Sequence, residues 1–243
     1  MNYKIPKNLL SRGNTNAKTA KNPQETYILY LAPHTQNSKG INICPKASKG
    51  CAASCLFSAG RGAFSNVVNA RVNKTEYYLE DKELFMLQLA KELKKINIRA
   101  VNNTTQTLVR LNGTSDVDFV YLLKKYASFD IGDYNNLHFY DYTKILGKVR
   151  KYKDNKNYTL TFSRAEDNDD EVIEALKLGA NVSAVFSGEL PKAWNKYPVI
   201  DGDKTDSEML DYKGFILGLK AKGKARKDTS GFVINDVHTH SYV

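Results

Sequence analysis

Three cysteines, Cys44, Cys51 and Cys55, are the residues whose type and spacing point most directly to chemistry. They are the only cysteines of the chain and lie together in the pattern C-x6-C-x3-C. An odd, clustered set favours a reduced site over a disulfide framework. Thiolates are soft ligands that suit Zn²⁺ and iron–sulfur clusters. The sequence therefore predicts one metal centre, and a four-iron, four-sulfur (4Fe-4S) cluster is the preferred interpretation.

Two alternatives to the cluster stay open at this stage. Zinc could take the same three thiolates with His34 as a fourth ligand, although structural zinc sites usually use shorter C-x2-C spacings. The thiols could also be small packing groups without a metal. If a four-iron cluster is bound, three cysteines hold three irons and leave the fourth iron open to a cofactor or substrate.

Short apolar strands alternate with amphipathic helices along most of the chain. The pattern predicts strands at 26–31, 107–111, 137–140, 158–162, 182–186, 199–200, 215–219 and 231–234. It predicts helices near 66–80, 86–96, 119–126, 145–152, 168–179 and 191–194. Single helices between apolar strands indicate an α/β fold. We expect a complete or partial (β/α) barrel with mainly parallel strands, and an open doubly wound sheet is the alternative.

The expected domain organisation is simple. Residues 1–24 form a polar N-terminal lead-in, and residues 25–243 form a single α/β barrel-like domain with the cysteine loop at 34–64. No stretch of about 18 uninterrupted apolar residues occurs, so no membrane span is expected. The polar, basic N-terminus does not resemble a secretory signal, which favours a cytoplasmic location.

The charge of the chain favours anionic partners. The formal net charge is +10 and the pI is about 9.3. A basic surface attracts phosphates, anionic cofactors or nucleic acid, so a nucleic-acid partner is possible, especially through the basic run at 220–227. A solvated basic surface without a partner explains the same charge.

Polar residues follow almost every predicted strand. In both expected architectures, ligands bind at the carboxyl ends of the strands. The candidate substrate-binding residues at these ends are Asp141, Ser163, Arg164, Asp201 and Lys220. Asn112, Ser115 and Asp116 close a strand and could contact a ribose or carboxylate, although Ser115 or Asp116 could instead cap the next helix. Arg61 lies between two glycines and could bind a carboxylate through two parallel hydrogen bonds from its guanidinium group.

The order of one strand, a cysteine loop, a helix and repeated βα units resembles the radical S-adenosylmethionine (SAM) enzymes. Their cysteines usually follow the spacing C-x3-C-x2-C, from which C-x6-C-x3-C departs. The resemblance implies a 4Fe-4S cluster on Cys44, Cys51 and Cys55, SAM as cofactor and a reductant for the cluster. It also implies cofactor-binding roles for residues near the loop, for which the candidates are Arg61, Asn112, Ser115 and Asp116.

Three segments are similar to the phage gene product 88 family, namely NICPKASKGCAASCLFSAGRG, LVRLNGTSD and DGDKTDSEMLD. The similarity extends over about residues 26–234 and implies phage origin, hence the host cytoplasm, without implying a reaction. The leading functional hypothesis is an iron–sulfur-dependent, radical SAM-like enzyme acting on an unknown small-molecule or nucleic-acid substrate. The alternative is a zinc-containing nucleic-acid-binding protein or a phage accessory protein without catalysis.

Overall fold

The computed structural model describes residues 3–16, 18–55, 57 and 60–235. Its strands are β1 (Leu10–Arg12), β2 (Thr26–Leu29), β3 (Thr107–Arg110), β4 (Leu137–Thr143), β5 (Tyr158–Ser163), β6 (Asn181–Phe186), β7 (Ala193–Trp194), β8 (Tyr197–Asp201), β9 (Ile216–Lys220) and β10 (Val233–Ile234). Its α-helices are α1 (Lys49–Ala53), α2 (Ser65–Glu80), α3 (Lys82–Asn102), α4 (Phe119–Ala127), α5 (Leu146–Tyr152), α6 (Asp169–Lys177) and α7 (Asp206–Met209).

The strands form one mixed, mainly parallel sheet in the order β1-β2-β3-β4-β5-β6-β9-β8-β7. Strand β1 is antiparallel to β2, and β7 is antiparallel to β8. Strand β10 pairs with β6 at Val185 and Phe186, beyond the residues of β6 that pair with β5. The predicted α/β fold is therefore confirmed. The two ends of the sheet do not meet in the described residues, so a complete barrel is not confirmed.

The strands from β2 to β6 lie side by side in chain order. Right-handed connections between such neighbours place all their helices on one face of the sheet. The packing agrees, because Val109 and Phe139 belong to one apolar cluster with residues of α3 and α4. Phe162 and Val182 belong to a second cluster with residues of α5 and α6. A doubly wound sheet would instead reverse its strand order and carry helices on both faces.

The opposite face of the same strands is rich in polar side chains, because successive residues of a strand point to opposite sides. We call it the polar face and define it by Arg110, Tyr140, Tyr142, Thr161, Ser163 and Ser183, whose strands pair in register. Residues from both ends of the chain lie against this face. The Asn22 side chain accepts hydrogen bonds from the backbone N–H groups of Asp206 and Ser207, joining these two segments.

Two local predictions need correction. The lead-in contains a strand, since β1 pairs with β2 and buries Leu9 and Leu10. The helix predicted at 191–194 is wrong, because Ala193 and Trp194 form β7. This strand turns into β8 through Asn195 and Lys196, whose φ angles are 47° and 69°. Two consecutive positive φ angles are typical of the two-residue turns that close β-hairpins.

None of the helices in the described ranges is long and apolar enough to cross a membrane.

Candidate metal centre and the polar face beside it

The cysteine loop follows β2 and is fixed at its first cysteine by the segment after β3. The backbone N–H of Asp116 donates to the carbonyl of Ile43 over 3.0 Å. The Cys44 thiol lies 3.8 Å from the carbonyl oxygen of Thr114, and the Thr114 hydroxyl donates to the carbonyl of Leu31. The segment that the sequence suggested as a cofactor contact therefore holds the cysteine loop in place.

The second part of the loop is held by Glu166, which follows β5. Its carboxylate accepts hydrogen bonds from the Ser48 hydroxyl at 2.6 Å and from the Gly50 backbone at 2.7 Å. Ser48 in turn caps α1 by accepting from the backbone N–H of Cys51. Because β3 and β4 lie between β2 and β5, the loop must cross the carboxyl ends of the parallel strands.

Gly50 is required by the close approach of α1 to the C-terminal segment. A Cβ atom at this position would lie 2.7 Å from the Cβ of Phe232 and 2.9 Å from a carboxylate oxygen of Glu166. Such distances are too short for nonbonded atoms, so a larger residue would push α1 and Cys51 away from their support.

None of the three cysteines is in a disulfide within the described ranges, and each is partly buried. Burial raises the pKa of Cys44 to about 11, and charge repulsion from Cys55 and Cys51 adds to this shift. A hydrogen bond from the His34 backbone acts in the opposite direction. Burial also raises the pKa of Cys55, although nearby Lys144 and Arg71 oppose that shift.

The donor chemistry of the loop fits a thiophilic metal, because sulfur is a soft ligand. Burial raises the pKa values of Cys44 and Cys55, so metal binding would have to displace their protons. The side-chain positions do not form a finished site. In the described portion of the chain, no three His, Cys, Asp or Glu side chains are grouped closely enough to hold a metal ion. Metal binding would therefore require the three thiols to turn toward a common centre.

The candidate cofactor contacts Asn112 and Ser115 lie in a buried hydrogen-bond network. The backbone N–H and the side-chain amide of Asn112 donate to the two carboxylate oxygens of Asp141 over 2.6 and 3.0 Å. The Ser115 hydroxyl and the backbone N–H of Val117 donate to the amide oxygen of Asn112. Tyr158 donates a third hydrogen bond to Asp141. These polar groups already have protein partners.

Asp116, the third candidate after β3, forms a buried ion pair. Its carboxylate lies 2.9 Å from the ammonium group of Lys148 on α5. It also accepts hydrogen bonds from the Thr143 hydroxyl and the Lys144 backbone, each over 2.8 Å. We call Asn112, Asp116, Asp141 and Lys148 with their partners the helix-side network. Its hydrogen bonds join the ends of β3 and β4 to α5.

The remaining sequence candidates lie at other strand ends. Ser163 contacts Ser183 over 3.2 Å on the polar face. Arg164 binds the C-terminal segment through the carbonyls of Gly231 and Phe232. The Lys220 backbone donates to Asp203, which itself is held by Asp201. The side chain of Arg61 lies outside what the structure describes.

A cluster of charged residues at the polar face was not anticipated. Asp206, whose side chain is 0% exposed, lies 2.7 Å from the ammonium group of Lys18 and accepts a hydrogen bond from Tyr140 over 2.8 Å. Arg110 lies farther away, with 3.9 Å between its Nη1 and Asp206. The Arg110 guanidinium stacks on the ring of Tyr142, with 4.6 Å to the centroid. We call these five residues the polar-face cluster.

Arg71 on α2 links this face to the cysteine loop. Its guanidinium carbon lies 4.9 Å from the ring centroid of Tyr30 and 5.3 Å from that of Phe57. A Cβ atom on Gly62 would come within 3.3 Å of its Nη1, so the glycine leaves room for the guanidinium. Burial lowers the pKa of Arg71, and its neighbours Tyr30 and Cys55 oppose that shift.

The sequence does contain a signal for the polar-face cluster. Arg110 is a charged residue inside the apolar strand TLVRL, and Tyr140 and Tyr142 alternate with buried residues in LHFYDYT. A charge within a buried strand indicates a polar environment on one face of the sheet. Lys18 and Asp206 carry no such signal, because only the folded chain brings them to the strands.

Comparison with known proteins identifies one family. The family model described as gene product 88 matches residues 8–236. No curated protein matches the chain, and no solved structure matches it.

Proposed function

We propose that this chain, which belongs to the gene product 88 family, binds a 4Fe-4S cluster through Cys44, Cys51 and Cys55 and uses it in radical SAM-like catalysis. One observation carries the proposal. Three cysteines that are in no disulfide within the described ranges occupy a loop that crosses the carboxyl ends of the sequentially ordered parallel strands β2 to β5, which is where α/β enzymes bind their ligands.

The strand order supports this proposal. Sequential parallel strands with helices on one face are the arrangement of a (β/α) barrel that is incompletely closed. The opposite, polar face then corresponds to the interior in which such an enzyme would hold its substrate. Tyr140, Tyr142, Thr161 and Ser183 supply hydroxyl groups along that face.

Several of the chain's own residues have roles in the proposed reaction. When bound, the cluster with SAM would supply the radical that abstracts a hydrogen atom from the substrate. Glu166 and Ser48 orient α1 and hence Cys51. Lys144 and Arg71 offset part of the rise that burial causes in the pKa of Cys55. The backbone of Asp116 supports the loop. The side chains of Asn112, Ser115 and Asp116 have partners within the chain, so we expect further contacts to SAM from other groups at the polar face.

A spectroscopic and product assay tests this function. The protein is reconstituted anaerobically with iron and sulfide, reduced with dithionite and examined by electron paramagnetic resonance with and without SAM. We expect a cluster signal that changes when SAM is added, together with formation of 5′-deoxyadenosine. Cys51→Ala should abolish both.

Lys49→Ala is the matched control, since Lys49 is exposed on the same short helix and should leave both readouts unchanged. A reconstituted protein with a cluster whose signal does not respond to SAM, and without 5′-deoxyadenosine, contradicts the radical SAM assignment while leaving the metal site intact.

The alternative is a zinc site in a nucleic-acid-binding protein, which the net charge of +10 favours. Stoichiometric zinc with no visible absorbance, and DNA or RNA binding that weakens steeply with salt, would replace the enzymatic proposal with this one.

A further inference from the structure

Two arginines near the cysteine loop have buried guanidinium atoms without hydrogen-bond partners. In the described ranges, the Nε atoms of Arg71 and Arg110 are both buried and unpaired. A buried donor without an acceptor is uncommon in folded proteins and calls for a specific explanation. Both arginines lie near Tyr30: Arg71 stacks on its ring, and Arg110 pairs in register with Ile28, two residues before it.

Arg110 has no close ion-pair partner in the described ranges. Asp206 is the carboxylate of the polar-face cluster, and it contacts Lys18 at 2.7 Å and the Tyr140 hydroxyl at 2.8 Å. Arg110, at 3.9 Å, is beyond normal hydrogen-bond distance from it. Arg71 adds a further positive charge beside Tyr30.

The Arg110 side chain can still be reached from outside, because 18% of it is exposed. Its planar group is kept flat against Tyr142 by stacking, which fixes the direction of its N–H groups. A guanidinium held in one orientation is suited to bidentate binding of a carboxylate or phosphate.

We propose that the polar face binds the anionic group, a carboxylate or a phosphate, of a small molecule through Arg110, with Arg71 contributing from the other side of Tyr30. The bound anion supplies the acceptors that the two Nε groups lack. The ligand is a small anionic metabolite and not a macromolecule, because Arg110 is largely enclosed by the sheet and its covering segments.

The inference goes beyond the proposed function, because it requires no metal at the cysteines. The two sites are nevertheless adjacent. Arg71 donates a hydrogen bond to the carbonyl of Phe57 over 3.4 Å and interacts with Cys55. An anion held here would lie beside the cysteine loop.

The test measures binding of two simple probes, inorganic phosphate and succinate, by calorimetry and thermal unfolding at constant ionic strength set with chloride. We expect at least one probe to bind and to raise the melting temperature above the chloride reference. A response to phosphate alone identifies a phosphate site, and a response to succinate alone identifies a carboxylate site.

Arg110→Gln should weaken binding at least tenfold. Arg150→Gln is the matched control, because Arg150 pairs with Glu174 on the exposed surface of α5 and its loss changes the net charge equally. Arg71→Gln provides a second variant if Arg110→Gln does not fold, and it should also weaken binding. No stabilisation beyond chloride, or equal binding by the arginine variants and the control, would overturn the inference.

Cys51→Ala separates the two proposals. It should remove the metal and leave binding of the effective probe unchanged. Probe binding in this variant supports the anion site whether or not the cluster exists, whereas loss of binding in a folded Cys51→Ala protein would contradict the independence of the two sites.

Discussion

The helix-side network and the polar-face cluster lie on opposite faces of β3 and β4, and both contain buried charges. In the helix-side network, Asp116 has Lys148, Thr143 and a backbone N–H as partners within 2.9 Å. In the polar-face cluster, Arg110 has a 3.9 Å ion pair and an unpaired Nε. Satisfied polar groups stabilise a fold, whereas unsatisfied ones are retained where a ligand completes them. We therefore infer that the helix-side network stabilises the fold, whereas the polar-face cluster binds a ligand.

Loss of Lys148 should have the largest effect on stability. Lys148→Met leaves Asp116 buried without its cation, and breaking such a pair costs about 3–5 kcal/mol. Urea unfolding measures the change. Lys124→Met is the control, because Lys124 pairs with Asp130 at the exposed surface and should cost no more than about 1 kcal/mol. Equal costs for the two variants would show that the helix-side network does not support the fold.

Loss of Glu166 should affect both stability and metal retention, because its carboxylate holds the cysteine loop. Glu166→Gln weakens the charge-assisted bonds from Ser48 and Gly50, and we expect a cost of about 1–2 kcal/mol. If the cysteines bind a metal, the variant should also release it faster to a chelator than the wild type does. An unchanged release rate would indicate that Glu166 does not position Cys51.

The carboxylates of the two regions should respond to pH with opposite signs. Burial raises the pKa of Asp141 despite Lys148 and Asn112, so its contribution to stability is complete below its ordinary pKa of about 4 and is lost as pH rises through the raised value. Burial also acts on Asp206, but Lys18 and Arg110 outweigh it and lower its pKa. Its contribution is present above about pH 4 and is lost as pH falls through the lowered value.

Urea unfolding of Asp141→Asn and Asp206→Asn across acidic pH measures both effects. The stability advantage of wild type over Asp141→Asn should shrink as pH rises, and its advantage over Asp206→Asn should grow. Each unit of pKa shift corresponds to about 1.4 kcal/mol. The same sign for both variants would contradict the contrast between the two regions.

Arg110 should have the smallest effect on stability. Because the described residues give its guanidinium a long ion pair and a stacking contact, Arg110→Met should change the free energy of unfolding by about 1 kcal/mol or less, as is common where residues serve binding. Chemical unfolding without added anions provides the measurement. A loss as large as that of Lys148→Met would mean that Arg110 is a structural residue.

The sequence allowed the repeated βα units to be predicted, because their apolar strands and helical stripes are local patterns. It did not reveal β1 or β7, which are short strands formed by pairing with neighbours. Among the site residues, the three cysteines could be recognised by type and spacing. Asn112, Ser115 and Asp116 looked available as ligands because sequence alone does not show that folded partners already occupy them.

The polar-face cluster, in contrast, contains two residues that could not be selected from the sequence alone. Lys18 and Asp206 come from distant parts of the chain and meet only when both segments fold against the strands. Arg110 could have been singled out from its place in an apolar strand, but the absence of an acceptor for its Nε is visible only in three dimensions.

Metal content after anaerobic purification tests the central proposal most directly. Iron, acid-labile sulfide and zinc are quantified together with an absorbance spectrum for the wild type, Cys51→Ala and Lys49→Ala. We predict about four irons and four sulfides per chain in the wild type and Lys49→Ala, and their loss in Cys51→Ala. Zinc in place of iron, or no metal that depends on Cys51, would contradict an iron–sulfur cluster on this loop.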